Sequence, residues 1–175
     1  MFKPHYSDCV CHGKRRLIVV RAGYCSEGNN QRKNKIKKLQ KIINKKEDGV
    51  KILKAKLWEV FSKFIRMRDS NRDYFTCISC GVPQEKSGGN LQAGHYFKSE
   101  MYPAIRYDEK NVNGQCRSCN IFKEGNRQGY EKGLIKKYGP EIIMLLDIKK
   151  NNYCKMGRFE YEVLIKEYES KIPKQ

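Results

Sequence analysis

No apolar run in this chain approaches the roughly 18 residues that a membrane-spanning helix needs; the longest in the first thirty residues covers only 17–20. The N-terminus also lacks the apolar core of a secretory signal. A membrane or exported protein is therefore not expected, and a cytoplasmic one is. No internal repeat is present, which removes repeat architectures. Acidic residues are scarce, 19 against 37 Lys and Arg, for a formal net charge of +18. They are scarcest in residues 1–66, with 5 acidic to 18 basic, while residues 67–175 hold 14 and 19. The chain thus reads as a basic arm on a nearly balanced body. A surplus of this size calls for a polyanion, and nucleic acid is the usual one. Charge alone names a partner and no activity.

What is present is enough for a folded body. Mean hydropathy is −0.79, wet for a globular enzyme, but 11 Tyr and 7 Phe argue against general disorder. A length of 175 residues suits one domain with an appended arm. Over 34–46 the chain is Lys-rich, with Ile36, Leu39, Ile42 and Ile43 at helical spacing on a solvated background. The run Lys-Lys-Glu-Asp-Gly at 45–49 is expected to interrupt it. Val50, Leu53, Leu57, Val60, Phe61, Phe64 and Ile65 then recur at steps of three and four, one face of an amphipathic helix over 50–68. Trp58 extends that face as core packing. Short strands are expected over 74–76 and 91–97, with loop over 98–115. A helix should open at 116–120 and end near Gly139, a second should start at Pro140, and a last one should run over 159–171.

Eight cysteines stand at 9, 11, 25, 77, 80, 116, 119 and 154. In an unsecreted chain they point to metal before disulfides. Cys77-x-x-Cys80 and Cys116-x-x-Cys119 are separated by 35 residues. Two thiolates three positions apart on a tight turn reach one ion together, and two such knuckles supply the four-sulfur set that structural zinc prefers. A staple of this kind contributes directly to folding energy. The spacer carries His95 at the end of a predicted strand and Asn111 five residues before Cys116, and Asn120 follows Cys119 directly.

That order of strand-end His, loop Asn and polar residue after the second knuckle is the order of a ββα-metal nuclease site. Leu91-Gln-Ala-Gly-His95-Tyr96, Arg106-Tyr-Asp-Glu-Lys-Asn111-Val-Asn113 and Gln115-Cys-Arg-Ser-Cys-Asn120-Ile-Phe-Lys123 resemble HNH endonucleases. With Trp58 through Asp69 upstream and Gly125 through Tyr130 downstream, the chain over roughly 57–140 is similar to the phage NinG (Rap) recombination proteins. The resemblance implies a metal-dependent nuclease that acts on branched recombination intermediates such as D-loops and Holliday junctions. It makes His95 the general base, Asn111 the residue that steadies the loop and orients the base, and Asn120 the ligand of a catalytic divalent cation. Lys123 matches a basic residue three positions further on. Two departures stand out: Gly94 occupies a position where such nucleases often carry a metal-binding Asp, and Asn120 is a weaker oxygen donor than the usual His.

The chemistry can be argued without the resemblance. Phosphodiester hydrolysis needs a deprotonated water in line with the leaving oxygen and a cation to neutralise developing charge. A neutral His of pKa about 6.5 can take that proton at physiological pH, provided its other nitrogen is held by a loop carbonyl or by Asn111. One Mg²⁺ or Mn²⁺ on Asn120 and the phosphate oxygens would keep several waters. The expected products are a 5′-phosphate and a 3′-hydroxyl.

Other features are less specific. Cys9, Cys11, His12 and Cys25, with His5 as a further donor, form either a second zinc site or a reduced-thiol tail, and Cys154 is a lone half-buried thiol. The Lys run over 32–56 is either an arm along phosphates, with salt-sensitive affinity, or a solvated helix face. Arg106, Arg117, Lys123 and Arg127 flank the proposed site and are better placed to grip DNA. Met144-Leu145-Leu146 packs in the core or pairs two subunits; symmetric junction cleavage would favour a homodimer, though no residue demonstrates one. The fold expected is α+β: a small zinc-stapled ββα-metal (HNH-like) core over 50–140, a basic N-terminal arm over 1–49, and a C-terminal helical extension over 141–175. The function expected is a structure-selective DNA endonuclease of phage recombination. The alternatives are a zinc-dependent DNA-binding protein without catalysis and a basic RNA-associated zinc protein.

Overall fold

The computed structural model describes residues 5–8, 15–18 and 26–173. The chain divides into two units, residues 1–49 and 50–175. In the first unit, β1 (His5–Asp8) and β2 (Arg15–Ile18) form an antiparallel hairpin in register His5↔Ile18 to Asp8↔Arg15. The sequence gives no periodic sign of it. Cys9, Cys11, His12 and Cys25 lie outside the described residues.

Helix α1 (Ser26–Arg68) runs for 43 residues. The interruption expected at 45–49 is absent. Lys and Glu are good helix formers, and one Gly costs only about 1 kcal/mol in a helix interior, too little to end a helix anchored by packing further along. Leu57, Phe61 and Ile65 on its later part are fully buried, each contributing roughly 2 kcal/mol by removal from water.

The second unit holds two small antiparallel sheets. β3 (Ser70–Asn71), β4 (Tyr74–Thr76) and β5 (Pro83–Glu85) form one, in that order. β6 (Leu91–His95) and β7 (Val112–Cys116) form the other, in register Leu91↔Cys116 to His95↔Val112. β7 falls where loop was expected, because Val-Asn-Gly-Gln-Cys reads as polar. All five residues are nevertheless buried, and their amides are used. Asn113 Oδ1 accepts from Lys137 Nζ (2.9 Å) and Tyr138 Oη (2.9 Å), and Gln115 Nε2 donates to Ser79 Oγ (2.6 Å) and to the Gly125 carbonyl (2.6 Å).

The helix expected to open at 116 is also corrected. Ser118–Phe122 makes a single π-type turn, and α2 (Arg127–Tyr138) begins only after the left-handed residues Glu124, Gly125 and Asn126. α3 (Ile142–Lys150) starts two residues past Pro140, and α4 (Arg158–Lys171) matches the last helix expected. Residues beyond 140 are not peripheral. Tyr161, Ile165 and Tyr168 of α4 close one apolar cluster on α1 and Val112. Ile142 and Leu146 of α3 join Tyr130, Leu134, Ile105, Tyr96 and Phe97 in a second, while Met144 and Leu145 beside them stay exposed. Among the described residues no helix is long and apolar enough to cross a membrane.

Asp69 ties these layers together at the end of α1. Its carboxylate accepts from Arg68 Nη2 (2.7 Å), from Lys137 Nζ of α2 (2.7 Å) and from the Gly114 N–H of β7 (2.7 Å). Burial alone would raise this carboxyl; the Arg68 and Lys137 cations outweigh it and hold the group below its ordinary range.

Candidate metal centre and histidine cleft

Cys77 follows β4, Cys116 ends β7, and Cys80 and Cys119 lie on the turn after each. The four sulfurs lie within 4.8 Å of one another. A tetrahedral zinc with Zn–S near 2.3 Å would place them about 3.8 Å apart, so small side-chain adjustments close the set on one ion. The surroundings suit thiolates. The Cys116 N–H donates to Cys77 Sγ (3.3 Å), the Cys119 N–H to Cys116 Sγ (3.4 Å), and Asn126 Nδ2 to Cys119 Sγ (3.6 Å). Burial pushes the Cys77 thiol up; for Cys116 burial acts the same way, but the donors around it prevail and draw it down. The first knuckle is braced by α2, where a Cβ on Gly133 would lie 1.9 Å from the Ile78 carbonyl oxygen, so only glycine permits that approach. Three of the cysteines are buried and Cys80 is exposed. Cys154 is half-buried and stands apart from this group.

His95 closes β6 at the opposite end of the ladder and is not one of the metal group. Its Nε2 lies 2.9 Å from the Arg106 carbonyl oxygen. A carbonyl can only accept, so Nε2 carries the hydrogen and the neutral ring presents its lone pair at Nδ1. Among the described residues nothing hydrogen-bonds to Nδ1. Trp58 of α1 stacks on the ring, with centroids 5.0 Å apart and planes 22° from parallel. Burial lowers the His95 pKa, against the opposing pull of its hydrogen bond and of Glu100, and keeps the imidazole neutral at physiological pH. The ring opens on a cleft of about 490 Å³ whose walls include Lys51, Lys54, Trp58, Glu100 and Arg106. A larger cleft of about 650 Å³ lies beside Arg68, Asp69, Tyr74 and Lys137, but its carboxylate is consumed by ion pairs and no base lines it.

Asn111 is fully buried and braces the loop over 97–111. Its Nδ2 donates to the carbonyls of Phe97 (3.1 Å) and Ile105 (3.0 Å), and its Oδ1 accepts from the Phe97 N–H (2.8 Å). It therefore fixes the segment from which Arg106 offers its carbonyl to His95. Of the two holders foreseen for the second imidazole nitrogen, the carbonyl serves and the amide supports it from behind.

Asn120 occupies the other face of the hairpin. Alternation along β6 sends Ala93 and His95 toward Trp58, and Gln92 and Gly94 to the opposite side. Asn120 Nδ2 donates to Gln92 Oε1 (2.7 Å), which leaves its Oδ1 beside Gly94. Asn120 is not among the residues lining the His95 cleft. A Cβ on Gly94 would sit 2.1 Å from Gln115 Oε1 and 3.0 Å from Asn120 Oδ1. The missing carboxylate at 94 thus has a steric cause: Gln115 reaches across from β7 into its space. Gln115 Oε1 is also a buried side-chain oxygen without a hydrogen-bond partner among the described residues.

Of the cations singled out, Arg106 lines the cleft, with Nη2 tied to the Ser99 carbonyl (2.7 Å). Arg127 lies over the rings of Tyr96 and Phe97, 5.2 and 5.3 Å from their centroids. Arg117 faces Phe122, and Lys123 is exposed beside it. Trp58 as a wall of the cleft, Gln115 and Asp69 were not foreseen as site residues. For Trp58 a signal existed: it flanks the buried stripe Leu57-Phe61-Ile65 instead of lying within it.

These residues define an α+β protein with a four-cysteine site fit for a metal and a half-buried, carbonyl-held histidine in a cationic cleft. Residues 3–175 match the model of the family described as Bacteriophage Lambda NinG protein, and the chain belongs to that family. "Protein ninG" of Escherichia phage lambda is 33% identical over 115 residues, covering 62% of this chain and 53% of the relative. "Protein ninG" of Salmonella phage P22 is 34% identical over 115 residues, with 62% and 54% covered. The chain spans about half the length of the curated relatives it matches. No solved structure matches it.

Proposed function

We propose that this protein is a metal-dependent, structure-selective DNA endonuclease of the HNH type, cutting branched recombination intermediates such as four-way junctions and D-loops in the cytoplasm of a phage-infected bacterium. One observation carries the reading: a neutral imidazole whose Nε2–H is spent on the Arg106 carbonyl and whose Nδ1 has no hydrogen-bond partner among the described residues, in a cleft whose walls include Lys51, Lys54, Glu100 and Arg106. A phosphodiester would be drawn in by the cations, and Nδ1 would take a proton from the attacking water. Hydrolysis in that sense leaves a 5′-phosphate and a 3′-hydroxyl. Arg117, Lys123 and Arg127 would hold neighbouring phosphates.

Two metals belong to this reading. Zinc on Cys77, Cys80, Cys116 and Cys119 is structural. The resemblance puts a catalytic Mg²⁺ or Mn²⁺ on Asn120, an oxygen donor suited to a hard cation that keeps most of its waters; Asn120 faces away from the His95 cleft, which counts against one phosphate being served by both. The thin donor set left by Gly94 favours the second reading, a zinc-dependent DNA-binding protein without catalysis.

The deciding experiment incubates labelled four-way junction, D-loop and linear duplex with the protein in Mg²⁺, Mn²⁺ or chelator. The expected result is cation-dependent cutting of the branched substrates, reduced at least about 100-fold in His95→Ala with DNA binding retained. The rate should fall as pH drops through a value below 6.5, because the base works only when neutral and burial lowers its pKa. No product under any condition hands the case to the binding protein; cutting undiminished in His95→Ala removes the imidazole from the mechanism.

A further inference from the structure

The turn that follows Asn120 is shaped by the interior of the protein. The Gly125 N–H donates to the Cys119 carbonyl (2.9 Å), the Gly125 carbonyl accepts from Gln115 Nε2 (2.6 Å), and Asn126 Nδ2 donates to Cys119 Sγ (3.6 Å). Glu124 and Asn126 are held at φ +48° and +42°, a region that residues with side chains avoid unless their surroundings impose it. Buried groups from both knuckles and from β7 thus fix a strained turn, and its outer side carries the largest apolar exposure near the candidate site. Phe122 is 73% exposed and Ile121 is 50% exposed. The Arg117 guanidinium lies 6.0 Å from the Phe122 ring centroid, Lys123 follows Phe122 in the chain and is exposed, and Glu124 is the one carboxylate in residues 117–127.

An exposed aromatic on a fixed turn, with a guanidinium beside its ring and a lysine next in the chain, suits a partner that offers an open base face among phosphates. Uninterrupted duplex offers none, since each base pair is covered by the next. A branch point does, because the last pair of each arm is exposed where the strands part. We propose that Phe122, backed by Ile121, is a wedge that stacks on the open base pair at a DNA branch and so selects branched DNA over linear duplex. Apolar side chains inserted at base steps are an established way of holding distorted DNA. This rests on the DNA-cutting reading for its substrate class, but not for its chemistry. The Arg117 N–H bonds to the Asn90 carbonyl (2.9 Å) at the Leu91 end of β6, while His95 ends the strand. Loss of Phe122 therefore leaves the imidazole and its carbonyl partner in place.

The test measures binding by the full chain without Mg²⁺ or Mn²⁺, using a four-way junction with 2-aminopurine next to the branch and a linear duplex of the same sequence. The wild-type chain should bind the junction more tightly and raise the 2-aminopurine emission. Phe122→Ala should lose that rise and on the order of tenfold of the junction preference, with duplex affinity and zinc content unchanged; Phe122→Tyr should recover both. Full emission and preference in Phe122→Ala overturns the wedge, as does equal affinity of the wild-type chain for junction and duplex, or tighter binding to folded RNA. A chain that shows the emission change yet never cuts overturns the nuclease reading and leaves the wedge standing.

Discussion

At the Leu91–Cys116 end of the β6–β7 ladder the backbone is pinned by sulfur, with Cys116 inside the four-cysteine group and Phe75 and Leu91 packed around it. The His95–Val112 end lies away from the four cysteines, and the loop between the strands is held by the amide of Asn111 and the hydroxyl of Tyr130, which donates to the Gly94 carbonyl (2.8 Å). The difference shows a division of labour. A four-cysteine group fit for a metal anchors where the hairpin begins, and side-chain hydrogen bonds anchor the end that carries His95.

The largest effect should come from the sulfur end. Chelation, or Cys116→Ser, should release the zinc proposed for the four cysteines, whose binding would be coupled to folding, at a cost on the order of 10 kcal/mol of apparent stability. Far-ultraviolet circular dichroism should then show the cooperative thermal transition collapse. An unchanged melt with chelator would erase the contrast between the ends. Next comes Asn111→Ala, which deletes three buried hydrogen bonds and leaves their backbone partners unpaired, about 3 kcal/mol or more in a urea titration. Zinc content should stay constant; parallel loss of zinc would make the two ends one unit. The smallest effect is expected in mid-ladder, from Gly94→Ala. Its methyl would displace the Gln115 amide at about 2 kcal/mol, measured the same way. A neutral result there would mean that Gln115 moves freely.

The sulfur end was legible in the sequence because coordination chemistry imposes spacing, and two C-x-x-C pairs state it outright. The later part of α1 and helix α4 were legible for a similar reason: Leu57, Phe61 and Ile65, like Tyr161, Ile165 and Tyr168, repeat at the helical period and all are buried. Periodicity failed where burial is not apolar. β7 is a buried strand of Asn, Gly and Gln whose side-chain amides bond to Lys137, Tyr138, Ser79 and Gly125, partners 24 to 36 residues away or supplied by the next turn, which no local pattern encodes. It also says little about partnership. Ile36, Leu39, Ile42 and Ile43 carry the same helical spacing as the buried stripe, yet each stays about half exposed. Of the candidate site, His95, Asn111 and a loop carbonyl as the holder of the ring are expected from the sequence, but that Arg106 supplies the carbonyl is not, since any residue could offer a backbone oxygen.

The crowding between Gly94 and Gln115 reaches beyond this one chain. Two positions that share a single volume across a ladder cannot drift separately: a lineage that acquires a carboxylate before the histidine must first shorten the residue facing it, and one that keeps the long amide is committed to glycine. Residues at 94 and 115 are therefore expected to change together, a long amide at 115 going with glycine at 94.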